Sequence, residues 1–146
     1  NSLRWESSRV RDDEFLHAPS VIHRLRAVAA VRAGDFERAD RETDLTLAAM
    51  PAGLELAGAL VPLLDQAGRQ AQADRLFDRV FRALSVQLQH YPHSAMLHHE
   101  LASLSARCRR RLEEAFRHAQ RAVELEPNNT AYQGTLAETQ DQFPHR

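Results

Sequence analysis

The sequence predicts an all-α chain of antiparallel helix pairs. Three observations carry that expectation: a composition of helix formers, a recurrence of the same residues at one interval, and Gly and Pro where helices should stop. The hydrophobic fraction is 43% and the charged fraction 27%, which suits one folded unit rather than a disordered chain. Ala, Leu, Arg and Glu dominate, while β-branched and aromatic residues are sparse. The segment "RAGDFERAD" at 32–40 matches "QAGRQAQAD" at 66–74, so that Ala33, Gly34, Ala39 and Asp40 recur as Ala67, Gly68, Ala73 and Asp74, each 34 residues on. That interval fits a unit of two short helices stacked on the next such unit.

Apolar spacing predicts eight helices in order, over about 3–17, 20–33, 36–49, 53–67, 70–91, 94–108, 112–126 and 130–142. Gly34 and Gly68 end the second and fourth, because a helix C-terminus often needs one left-handed residue. Pro51, Pro92 and Pro127 mark unit ends, 41 and then 35 residues apart. The extra residues of the second unit fall in "AQADRLFDRVFRALSVQLQHY", where Leu76, Phe77, Val80, Phe81, Leu84 and Leu88 keep helical phase and lengthen its second helix by about two turns. In the third unit "CRRR" stands where Gly is expected and adds a residue. Pro62 falls within the fourth expected helix and predicts a kink or break there.

The third unit's "LEEAFRHAQRAVELEPNN" places Ala115, Ala119 and Ala122 at the small packing positions and Pro127 as the stop. With the 34-residue period, this segment resembles the tetratricopeptide repeat (TPR) family, almost residue for residue in that second helix. The resemblance implies a right-handed α-α superhelix, a TPR-like solenoid. Its divisions would be a leading helix at 1–19, repeats at 20–53, 54–94 and 95–129, and a partial repeat or capping helix at 130–146. The opening stretch either covers the stack, with Leu3, Val10 and Phe15 inward, or is the remnant of a preceding repeat. The second alternative, a piece of a longer bacterial protein, is preferred. Core positions follow from the register: Leu25, Ala27, Ala39, Leu60, Leu64, Ala73, Phe77, Leu101, Ala102, Ala115, Ala119, Ala122 and Leu136.

The resemblance also implies a concave groove lined by the first helix of each pair, which takes a peptide or partner protein. Stepping along those helices gives Val21, Arg24, Val28 and Arg32, then Glu55, Gly58, Pro62 and Gln66, then Met96, His99, Ser103 and Arg107. This mixed apolar and basic stripe suits a peptide of acidic character. One subset of the family grips C-terminal carboxylates with Lys, Asn and Arg; here Val28 and Ser103 stand where Asn is needed, so that ligand is not expected. Self-association through the groove or the long fifth helix, giving a homodimer or an architectural spacer, is the alternative.

Net charge is -1 with a pI near 6.8, which gives no field for phosphate backbones, and an RNA-binding reading of the Arg residues is the weaker one. No apolar run approaches a membrane span, so a soluble chain is expected, the cytoplasm favoured and the periplasm left open. His90, His93, His98 and His99 lie close in sequence beside Glu100. Adjacent His98 and His99 point about 100° apart on a helix, however, so no metal site is expected. Cys108 could act as a nucleophile with His118; the alternative preferred is burial in the core. Arg107, Arg109, Arg110, Arg111, Arg117 and Arg121 either complement helix ends and face water or form forks for an acidic peptide, the former preferred. No catalytic motif and no cofactor-binding loop is present, so neither enzyme activity nor a cofactor is expected. Ala115→Leu should destabilise the chain by about 1–3 kcal/mol through overpacking. An unchanged melting temperature would show the register to be wrong.

Overall fold

The computed structural model describes residues 21–49 and 53–142. The expected leading helix over 1–19 and the stop at Pro51 lie outside them. Among the described residues the chain is all-α and has no strand. Helix α1 covers residues 21–32, and six more follow: α2 (Phe36–Ala49), α3 (Leu54–Gln66), α4 (Gln70–His90), α5 (Ala95–Cys108), α6 (Leu112–Leu125) and α7 (Thr130–Gln142). Each bound that does not adjoin an undescribed residue falls within one residue of expectation, and α4 carries the added turns at 21 residues.

Neighbours in sequence pack as pairs, α3 on α4 and α5 on α6, and the next first helix docks on both members of the pair before it. Thus α5 touches α3 and α4, and α7 touches α5 and α6. One core runs through these contacts, with Leu56, Leu60, Val61 and Leu64 of α3 meeting Phe77, Val80 and Leu84 of α4 and Leu97, Leu101 and Leu104 of α5. Ala115, Ala119 and Ala122 are buried along one face of α6, as small residues at a close helix crossing must be.

Eleven of the thirteen expected core residues are buried. Leu25 is not; it is 59% exposed. It precedes Ala27 by two positions, about 200° around the helix, so the two cannot share a face, and Ala27, Ala30 and Val31 turn inward instead. Leu136 is half-buried on the terminal α7.

Pro62 does not break α3, which runs without interruption through it. The cost of an interior proline is about 3 kcal/mol. The buried Leu56, Leu60, Val61 and Leu64 on either side of it gain about 1.5–3 kcal/mol each by burial, which outweighs that cost.

The same turn closes the first helix of each pair. Gly34 and Gly68 adopt φ of 77° and 76°, and the amides after them reach back five residues, Asp35 N to Ala30 O at 2.9 Å and Arg69 N to Leu64 O at 2.8 Å. In the third pair Arg109 takes the Gly position with φ 54°, and Arg110 N bonds Ser105 O at 3.1 Å. The hydrogen-bond geometry therefore survives without glycine. The added residue is absorbed by Arg111, also left-handed at φ 51°, before α6 begins. A side chain at a left-handed position costs about 1–2 kcal/mol. Arg109→Gly should consequently stabilise the chain by about 0.5–1 kcal/mol after the added unfolded-state entropy of Gly is subtracted. A thermal melt should show a rise of about 1–4 °C; a fall would mean that the Arg109 side chain makes a contact worth more than its strain.

Candidate functional site

The three first helices differ in how much of them solvent reaches. On α5 the inward residues Ala95, Leu97, Leu101, Ala102, Leu104, Ser105, Ala106 and Cys108 are buried. Of the rest, exposed Met96, half-buried His99 and Ser103 and exposed Arg107 follow one another at helical spacing, with half-buried His98 and Glu100 beside them. On α3 the matching stripe is exposed Glu55, half-buried Gly58 and Pro62, exposed Gln66. On α1 it is exposed Val21, half-buried Arg24 and Val28, exposed Arg32, with Val28 packed against the core. Exposed Ile22 and Leu25 extend its apolar part.

Arg107 and Gly58 bring the α5 and α3 stripes together. A Cβ built on Gly58 would lie 2.5–2.9 Å from the Arg107 guanidinium, so that group crosses α3 where the backbone is bare. At the other edge of α5 the His99 ring lies 4.6 Å from the Tyr132 ring of α7, centroid to centroid, and its buried Nδ1 has no hydrogen-bond partner. Burial pushes the His99 imidazole below its ordinary pKa and the neighbouring Glu100 carboxyl above its own. Tyr132 is pushed up by burial and by the negative charge of Glu126 and Glu100. The stripe is thus cationic at Arg24, Arg32 and Arg107 and apolar or aromatic at Val21, Met96 and the His99–Tyr132 stack.

Other arginines of the expected patch serve the chain itself. Arg110 is 15% exposed and binds Asp65 through two hydrogen bonds, Nη1 to Oδ2 at 2.9 Å and Nη2 to Oδ1 at 2.8 Å. Its Nε donates to Asp74 Oδ1 at 2.8 Å and its Nη1 also to the Cys108 carbonyl at 2.9 Å. These bonds to Asp65 raise the guanidinium pKa further above its usual value. Arg111 lies 4.7 Å over the Phe81 ring and pairs with Glu114, while Arg117 and Arg121 pair with Glu113 and Glu124 of their own helix. Arg110, Arg111, Arg117 and Arg121 thus each have an acidic partner within the chain.

Cys108 is buried, its Sγ 3.7 Å from the Ala57 carbonyl, and burial pushes its thiol up to about 11. His118 does not approach it but faces His98 of α5, with Nδ1 to Nδ1 2.9 Å, and His98 Nε2 lies 3.2 Å from the Pro92 carbonyl. Neighbouring positions in sequence gave no hint of that pair, because α6 reverses the chain and returns His118 beside the turn in which His98 lies. A second pair, His23 Nδ1 to Glu42 Oε2 at 2.6 Å, ties α1 to α2. Among the described residues no three His, Cys, Asp or Glu side chains gather as a metal site, and no helix is long and apolar enough to cross a membrane.

No protein-family model matches the chain, and comparison with curated proteins gives no significant match.

Removing Arg110 leaves Asp65 and Asp74 beside each other without their cation. Hydrogen bonds to charged groups contribute about 1.5–3 kcal/mol, so Arg110→Ala should lower stability in urea unfolding by about 2–3 kcal/mol. Arg110→Lys should recover less than half of it, because a point charge cannot reproduce the planar fork. Equal behaviour of the lysine variant and the parent chain would show that charge alone suffices.

Proposed function

We propose that the chain is a TPR-like module, a right-handed superhelix of helix pairs in a larger bacterial protein, that holds a peptide or partner protein along the stripe of α1, α3 and α5. Its action is binding rather than catalysis. The observation that carries this reading is the exposure pattern of α5. A helix packed on four neighbours keeps Met96, His99, Ser103 and Arg107 at least partly open to solvent along one line, adjoining the α3 stripe at Gly58.

The chemistry of the stripe supports a ligand of mixed character. Arg24, Arg32 and Arg107 offer charge-assisted hydrogen bonds to acidic side chains, and Val21, Met96 and Tyr132 offer apolar contact. The elevated thiol pKa of Cys108 disfavours its use as a nucleophile.

The test is capture of a partner from bacterial lysate with the chain, followed by titration of the purified partner. Arg24→Glu, Arg32→Glu and Arg107→Glu combined should weaken its Kd about tenfold or more, equivalent to about 1.4 kcal/mol. A partner whose Kd ignores all three changes would place binding elsewhere, and a chain that captures only itself would favour self-association.

A further inference from the structure

We propose that His98 and His118 form an acid-operated latch: once both imidazoles carry a proton, α6 and α7 part from α5 while the α3–α4 pair stays folded. Proton placement follows from the geometry. His98 Nε2 lies 3.2 Å from the Pro92 carbonyl, which can only accept, so this nitrogen bears a proton. Neutral His98 then offers its Nδ1 lone pair, and the His118 Nδ1 that faces it at 2.9 Å must be the donor.

A first added proton is tolerated. Whichever ring takes it donates through Nδ1 to the lone pair of the other, His118 moving its own proton to Nε2 when His98 is the ring charged. A second is not, because both Nδ1 atoms would then carry hydrogen at 2.9 Å, with two positive rings 5.2 Å apart and no lone pair between them. That repulsion favours separation of α5 from α6.

The charges around the latch do not cancel this effect. On His118 the largest influence is burial, which lowers its pKa, and His98 from α5 lowers it further. Glu114 of its own helix opposes that shift and Arg117 adds to it. Next to the latch, His99 is buried against Tyr132 of α7 with an unpartnered Nδ1, and its pKa too is lowered. The sign is the same for both histidines. The unfolded chain takes protons from about pH 6.5 downward while the folded chain resists, so stability present above that pH is lost as pH falls toward the depressed folded values. Glu100, whose pKa is raised by burial, works the other way and regains stability on acidification. Arg110 and its aspartates lie at the opposite end of α5, which leaves the α3–α4 attachment intact.

Hydrogen exchange of the whole chain at pH 7.5 and pH 5.0, corrected for intrinsic rates, tests the latch. Protection in α6 and α7 should fall at least tenfold more than in α3 and α4. In His118→Gln the amide donates to His98 Nδ1 and never charges, so the loss in α6 should shrink about fivefold or more. Equal losses in all helices, or a His118→Gln variant that opens as the parent does, would overturn the proposal. Should that variant fail to fold, imidazole titration by NMR in the unaltered chain decides. One member of the pair titrating well below the other histidines supports the latch; two ordinary titrations refute it.

Discussion

One guanidinium reinforces the attachment of the third helix pair to the second, beside the core that Leu97, Leu101 and Leu104 share with α3 and α4. Arg110 sits in the turn between α5 and α6, yet its partners are the last turn of α3 through Asp65, the second turn of α4 through Asp74, and its own turn through the Cys108 carbonyl. A single exposed ion pair contributes little because two flexible side chains must be ordered for one contact. Here one side chain is ordered once and satisfies several acceptors, and at 15% exposure water competes poorly for them. The bonds also hold the backbone that carries Arg109 and Arg111 in left-handed conformations. Strain of about 1–2 kcal/mol at each is sustained by the contacts their neighbours make.

The same logic repeats between the first and second pairs in weaker form. Asp40 and Asp44 on α2 face Gln72 and Arg79 on α4, with hydrogen bonds of 2.7 Å each. One period later Asp74 and Asp78 on α4 face Arg110 and Arg111. An acidic edge on each second helix thus meets donors on the following pair. Arginines also occupy the N-cap positions of α4 and α6, where neither Arg69 nor Arg111 caps its helix through the side chain. Losing a cap costs about 0.5–2 kcal/mol. Arg69 instead lies 4.2 Å over Phe36, and Arg111 4.7 Å over Phe81. Local helix stability has been exchanged for contact between units, as expected where each pair depends on its neighbours.

Legibility in the sequence follows the range of the interaction. Helix bounds depend on residues a few positions apart, and Gly34, Gly68, Pro92 and Pro127 follow helix ends as expected. Arg109 was harder, since only the Ser105 carbonyl bond identifies it as the replacement for Gly. Leu25 misled because it stands about 200° around α1 from Ala27, off the face that Ala27, Ala30 and Val31 turn inward. Pro62 misled because local propensity was weighed without the tertiary burial of Leu60, Val61 and Leu64. Burial along α3 and α5 follows the helical period of the sequence, whereas the His98–His118 and Arg110–Asp65 contacts join residues 20 and 45 positions apart and required the fold.

The two ends of α5 are held by opposite kinds of chemistry. At its C-terminal end one guanidinium, Arg110, meets two carboxylates, Asp65 and Asp74. At its N-terminal end the contacts with α6 and α7 include the His98–His118 and His99–Tyr132 pairs, in which burial disfavours the charged form of His118 and of His99. Because α5 also carries Met96, His99, Ser103 and Arg107, any change in its N-terminal contacts moves the Met96 and His99 part of the stripe while Arg107 stays seated over Gly58. Half of the candidate binding face is therefore conditional on protonation, and half is fixed by the Arg110 network.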